Sequence, residues 1–246
     1  MIPLRDANPT RRVAVVTIAF IVACFVAFAY ELSLLASGAD ALDAFIGRWG
    51  VVPAALTHAW DKGRFLSTET ATLFTSQFLH GGWLHILGNM LYLWIFGNNV
   101  EDRLGRLRFV AFHLGGGAIA ALAQIAIAPE SDVPTIGASG AIAAVLGAYL
   151  VLYPRARITS LVFLGFFYQL IDVPALVVLA FWFVLQLIDG IASLGVTGAT
   201  GGVAFFAHIG GFLFGVAVGV LVRALGSRMG GGGGRRGGPW SPATVG

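Results

Sequence analysis

The chain is dominated by apolar runs long enough to cross a bilayer, which restricts it to folds that satisfy the backbone polar groups inside each segment. These runs cover residues 13–35, 83–100, 109–128, 136–153, 174–190 and 203–225. Of the 246 residues, 57% are hydrophobic and only 11% are charged, against about 25% charged in soluble domains. The expected fold class is therefore all-α: a polytopic membrane bundle of six transmembrane helices. The first run follows a polar segment with Arg5, Arg11 and Arg12. It exceeds the apolar core of a signal peptide, about 7–15 residues, and reads as a retained span. With Cys24 as the single cysteine, no intramolecular disulfide can form. The basic residues lie in short clusters between the runs, which argues against a nucleic-acid partner and for the lipid bilayer.

The connecting segments differ in character. Residues 36–82 mix Asp40, Asp43, Arg48, Asp61, Lys62, Arg64 and Glu69 with Trp49 and Trp60. Such a mixture suits short amphipathic elements of a first external loop lying in the membrane interface. Glu101 to Arg108 closes the second span, residues 129–134 form a turn, and Tyr153-Pro154 ends the fourth. Residues 158–189 are almost wholly apolar. Asp172 and Pro174 divide them into an interfacial stretch, 158–171, and a fifth span from 174. A Gly/Thr/Ser loop covers 190–202. The domain reading is a cytoplasmic tail 1–11, a membrane domain 12–225 and a flexible Gly/Arg tail 226–246. With the N-terminus inside, 12 of the 15 Lys and Arg residues face the cytoplasm. The positive-inside rule thus predicts a multi-pass protein with both termini cytoplasmic.

Three polar stretches interrupt the apolar runs: His85-Ile86-Leu87-Gly88-Asn89, Gly137-Ala138-Ser139-Gly140 and Ala207-His208-Ile209-Gly210-Gly211. A polar side chain at membrane depth is costly unless it has a partner or a function. At 1.5 Å of rise per residue, Ser139 stands about 24 Å above Arg155, His208 about 22 Å above Arg223 and Asn89 about 21 Å above Arg103. His85 is one turn above Asn89 on the same face. All four share a level in the outer part of the hydrocarbon layer. Small residues run along the fourth span (Ser139, Ala143, Gly147) and the sixth (His208, Gly211, Gly215), where Gly211 to Gly215 forms a GxxxG motif. A close approach of these spans, with Gly140 beside Ser139, brings the serine to the histidine.

The chemistry that follows is acyl transfer. A serine hydroxyl needs a base, and histidine suits that role near neutral pH. The oxyanion needs donors, for which His85, Asn89, Gly137 and the backbone N–H of Ser139 are placed. No Asp or Glu is expected at this depth, so the expected machinery is a Ser–His dyad, Ser139 as nucleophile and His208 as general base. The soluble-hydrolase G-x-S-x-G pattern does not fit, because Gly140 follows Ser139 directly. A metal held by His80, His85 and His208 would lack Cys or carboxylate ligands, and neither metal nor cofactor is expected. His80 reads as a loop tether, and His58 and His113 as structural.

Taken together, His80-Gly81-Gly82-Trp83-Leu84-His85-Ile86-Leu87-Gly88-Asn89, Gly137-Ala138-Ser139-Gly140, His208-Ile209-Gly210-Gly211 with Gly215, and Val100-Glu101-Asp102-Arg103-Leu104-Gly105 resemble the rhomboid intramembrane serine proteases of the bacterial type. The resemblance covers about residues 12–225. It implies Ser139 as nucleophile, His208 as base, and His85 and Asn89 at the oxyanion. It further implies transmembrane protein substrates, gating by the fifth span and first external loop, and residence in a bacterial inner membrane. Some relatives carry a tyrosine packed on the histidine where this chain has Ala143, so here the imidazole must be oriented by another group. The alternative function is a non-catalytic rhomboid-like protein that binds transmembrane clients. That alternative has no need of Ser139 and His208 at one depth.

Overall fold

In the computed structural model, residues 2–164, 167–193 and 204–230 are described. The chain begins with a strand, β1 (Ile2–Asp6), and a first long helix, α1 (Val15–Ser37). Three short helices follow, α2 (Ala39–Trp49), α3 (Pro53–Asp61) and α4 (Thr68–Thr75), with a single 3-10 turn at Ser76–Phe78. Next come α5 (Trp83–Leu104), α6 (Arg106–Ile127), α7 (Ser139–Leu152), the strands β2 (Arg157–Leu164) and β3 (Phe167–Pro174), α8 (Ala175–Ser193) and α9 (Phe205–Gly230). Helices α1, α6, α8 and α9 are long and apolar enough to span a membrane, and α7 is a shorter apolar helix. The fold is thus a polytopic helical membrane bundle, as expected. The loop at 190–202 and the tail at 226–246 fall largely on 194–203 and 231–246, outside the described residues.

The helix ends follow local chemistry. Gly38, Gly82 and Gly105 take positive φ between successive helices, and Ser67 caps α4 by accepting from the Thr70 N–H. Helix α1 has no side-chain cap of its own. Glu101 of α5 supplies one from across the bundle, accepting from the Val16 N–H at 3.0 Å, the Thr17 N–H at 2.7 Å and the Thr17 hydroxyl at 2.8 Å. This task explains why the second span runs on to Leu104 instead of stopping at Val100: Glu101 is buried inside the bundle, not a charge marking its edge.

Two segments differ from their sequence reading. The stretch 158–171, read only as interfacial, lies within an antiparallel hairpin over 157–174, with Arg157 opposite Pro174 and Leu164 opposite Phe167. Residues 2–6, expected within a tail, form a third strand on β2, giving the order β1-β2-β3. Both strands of the hairpin are mostly apolar, and apolar runs of eight residues do not by themselves separate strand from helix. The sheet sits at the end of the bundle where α5 and α7 finish. There the Asp6 carboxylate accepts from the Tyr149 hydroxyl at 2.8 Å and from the Asn99 amide at 2.5 Å.

The core gathers Phe20, Phe28, Ile86, Leu93, Phe96, Phe109, Val145, Leu146, Tyr149 and Leu179. A smaller cluster of Val51, Leu56, Leu73, Ala121 and Ile125 packs the external helices onto α6. The tightest contact is between α7 and α9. A Cβ on Gly211 would stand 2.2 Å from the Gly140 carbonyl oxygen, one on Gly215 1.9 Å from that of Ala144, and one on Gly147 2.1 Å from that of Phe212. The seam therefore runs along Gly140, Ala144 and Gly147 of α7. Gly147 is shared with the expected Ser139–Ala143–Gly147 stripe, but Gly140 and Ala144 take the places of Ser139 and Ala143, one residue along.

Candidate active site

Ser139 is the first residue of α7, and local backbone geometry puts it there. Gly137 adopts φ +123, and its N–H donates to the Ser76 carbonyl at 2.9 Å. Val51 and Thr135 exchange both backbone hydrogen bonds, so the approach to α7 is tied to the external loop. The helix consequently starts at Ser139, not at 136, and the side chain does not cap it. Its hydroxyl is free for another partner. The N–H groups of the first helical residues have no intrahelical acceptor and carry the positive end of the helix dipole.

That partner is His208, in the first turn of α9. Its Nε2 lies 2.7 Å from Ser139 Oγ. His208 is 9% exposed and Ser139 is half-buried. Its other nitrogen, Nδ1, lies 2.5 Å from Gln186 Oε1 on α8, and the Trp182 ring is centred 5.9 Å from the imidazole. Ala143, fully buried, presents only a methyl group.

His85 and Asn89 line the same niche from α5. His85 Nδ1 accepts from the Gly81 N–H at 3.3 Å, which leaves Nε2 as the N–H donor. That Nε2 faces Gly137 closely: a Cβ there would lie 2.7 Å from it and 3.7 Å from Ser139 Oγ. Asn89 is buried, and its Nδ2 donates to no partner among the described residues. An amide donor left idle in a buried niche is expensive unless something else occupies the niche. Gly137 does not share this role. Its N–H is committed to Ser76, so the residue supplies the turn and the space for His85 instead of a donor. Gly140, Gly211 and Gly215 supply the helix contact.

Behind the niche, the backbone N–H of His80 donates to both oxygens of Glu31, each at 3.2 Å, and its Nδ1 contacts the Phe78 carbonyl at 3.1 Å. Burial first, and the neighbouring His85 second, push the His80 imidazole down to about 4, so the ring is neutral. Glu31 is 2% exposed and lies within α1, a carboxylate set deeper than the helix-end position its sequence neighbourhood indicates.

Sequence reasoning missed Gln186 and Trp182. A signal existed, because Gln186 is an amide within the otherwise apolar segment Leu176–Ile188, a position where polarity requires a partner.

A helical bundle that sets a serine hydroxyl against a buried histidine ring, with unspent donors beside it, defines a polytopic membrane protein with a hydrolase-like polar centre. The chain belongs to the rhomboid family: a family model described as "Rhomboid domain" matches residues 67–225. Among curated proteins it is similar to presenilin-associated rhomboid-like protein A, mitochondrial, of Danio rerio, 30% identical over 154 residues, which are 61% of this chain and 37% of that protein. It is also similar to rhomboid protein 1, mitochondrial, of Saccharomyces cerevisiae, 35% identical over 105 residues, 39% of this chain and 29% of that one. A third relative, the putative rhomboid protease YdcA of Bacillus subtilis, is 36% identical over 78 residues, 32% of this chain and 39% of that protein. The chain thus spans well under half the length of each.

Proposed function

We propose that the protein is an intramembrane serine endopeptidase that cleaves transmembrane segments of other membrane proteins through the Ser139–His208 dyad. The observation that carries the reading is the 2.7 Å contact between Ser139 Oγ and His208 Nε2, a hydroxyl and an imidazole brought together inside a largely apolar bundle. His208 removes the hydroxyl proton as Ser139 attacks the scissile carbonyl. The oxyanion is held by the His85 Nε2–H, the Asn89 Nδ2 and the Ser139 N–H, each worth about 10²–10³ in rate. His208 then protonates the leaving amine, and water hydrolyses the acyl-enzyme.

The distribution of Lys and Arg supports an orientation with both termini in the cytoplasm and the dyad toward the outer face, as in a bacterial inner membrane. Two relatives are named as mitochondrial. A protein of either membrane would present the same dyad to substrate helices. The test is labelling of the purified protein in detergent with a fluorophosphonate serine probe, beside Ser139→Ala and His208→Ala. Labelling of the wild type alone is the expected result. A folded wild type that does not label refutes catalysis and leaves a protein that binds transmembrane clients without cutting them.

A further inference from the structure

We infer that Gln186 is the positioning residue of the site: its side-chain carbonyl accepts the Nδ1–H of His208, fixing the tautomer whose Nε2 lone pair faces the Ser139 hydroxyl. The inference rests on the Ser139–His208 reading and adds to it the group that replaces a carboxylate third member.

A neutral imidazole has one N–H and one bare nitrogen, and a partner at one decides the state of the other. Gln186 Oε1 lies 2.5 Å from Nδ1, and a carbonyl oxygen only accepts. The proton is therefore on Nδ1, and Nε2 is the acceptor 2.7 Å from Ser139 Oγ. The opposite tautomer would put an N–H against the hydroxyl and leave the serine without a base.

The surroundings leave this task to α8. Ala143 presents only a methyl group. Trp182 and Gln186 are four residues apart and so share one face of α8; the first sets its ring beside the imidazole and the second holds Nδ1. The other titratable group near His208 is His85 on α5, while Asp189, a turn beyond Gln186 on α8, is exposed; neither is hydrogen-bonded to the ring among the described residues. The amide side chain itself stands in an apolar span and is only half-buried, so its partner is what justifies its presence there.

The test compares full-length wild type, Gln186→Leu and Gln186→Glu in detergent. It records fluorophosphonate labelling rates from pH 5 to 9 together with thermal midpoints. Leucine removes the acceptor. Its expected cost lies between about tenfold, the scale of one neutral hydrogen bond, and the roughly 10⁴-fold loss seen in other enzymes locked in the wrong tautomer. Glutamate keeps an accepting oxygen but lacks the amide N–H. It should label within a few-fold of wild type near pH 8. The acid limb of its profile should move up by about one pH unit, because a carboxylate beside the ring favours the imidazolium. A Gln186 side chain that does not reach Nδ1 predicts a much smaller displacement.

Leucine labelling at the wild-type rate with a wild-type profile overturns the inference, as does glutamate labelling as slowly as leucine. Where Gln186→Leu does not fold, the glutamate profile decides alone. Failure of the wild type to label would instead overturn the Ser139–His208 reading itself.

Discussion

Gly211→Ala tests whether the α7–α9 seam sets the reacting geometry. The added Cβ would stand 2.2 Å from the Gly140 carbonyl oxygen, 3.1 Å from its carbon and 3.3 Å from the Ala120 methyl. An ordinary carbon–oxygen contact needs about 1 Å more. The obstacle is backbone, so no side chain can swing away, and the helices must part by that amount. His208 is one turn from Gly211, and Ser139 is next to Gly140. The same displacement stretches the 2.7 Å contact toward about 3.7 Å, beyond hydrogen-bonding range. Overpacking costs about 1–3 kcal/mol, partly offset by the roughly 1 kcal/mol by which alanine favours a helix over glycine. The protein should therefore still fold. Misplacement of a reacting pair by 1 Å costs about 10²-fold in rate. The assay is the fluorophosphonate labelling rate alongside the thermal midpoint, with Gly115→Ala as control. A Cβ at Gly115 meets nothing within 4 Å, so that variant should label normally. Gly211→Ala labelling at the wild-type rate would refute the claim that this seam sets the distance.

Further outcomes follow from other residues. Asn89→Ala should slow labelling by about 10²-fold, the scale of one oxyanion donor, without lowering the melting midpoint, since the lost donor has no partner in the resting site; a drop in stability with intact labelling would make Asn89 structural. Gly137→Ala combines a left-handed φ of +123 with a Cβ 2.7 Å from His85 Nε2, so it should lose labelling by at least about tenfold and melt earlier by roughly 1–2 kcal/mol of stability. Burial holds the Asp6 carboxyl above its ordinary 3.8, opposed by the Tyr149 hydrogen bond. The folded state thus favours its protonated form, and the associated stability is full below 3.8 and lost as pH rises through the raised value. Asp6→Asn, which keeps an accepting oxygen for Tyr149 and Asn99, should accordingly raise the melting midpoint at pH 8, with the gain vanishing toward pH 4; a gain unchanged by pH would contradict this account.

The helices and the four polar residues His85, Asn89, Ser139 and His208 were legible because membrane burial makes each polar group conspicuous against its apolar neighbours. The close approach of α7 and α9 was legible in kind, since Gly147, Gly211 and Gly215 mark it, but its phase was not. A shift of one residue along α7 depends on Gly116 and Ala120 of α6, which crowd the same face. Glu101 looked like a boundary charge because its partners, the amides of Val16 and Thr17, lie 84 or more residues away. The availability of the Gly137 N–H could not be read either, because Ser76 belongs to a loop whose path only the folded chain reveals. Gln186 carries no charge to set it apart in the sequence, yet orienting a neutral ring needs only an acceptor.

The strand at residues 2–6 changes how this protein tolerates substitution far from its dyad. It covers one edge of β2, and its Asp6 ties the ends of α5 and α7 together, with Asn8 just beyond it donating to the Tyr149 hydroxyl. Removing it would bare a strand edge ready to pair with a neighbouring molecule and would leave Tyr149, deep in the bundle, without an acceptor. Disrupting its pairing with β2 therefore threatens solubility and assembly far from the dyad.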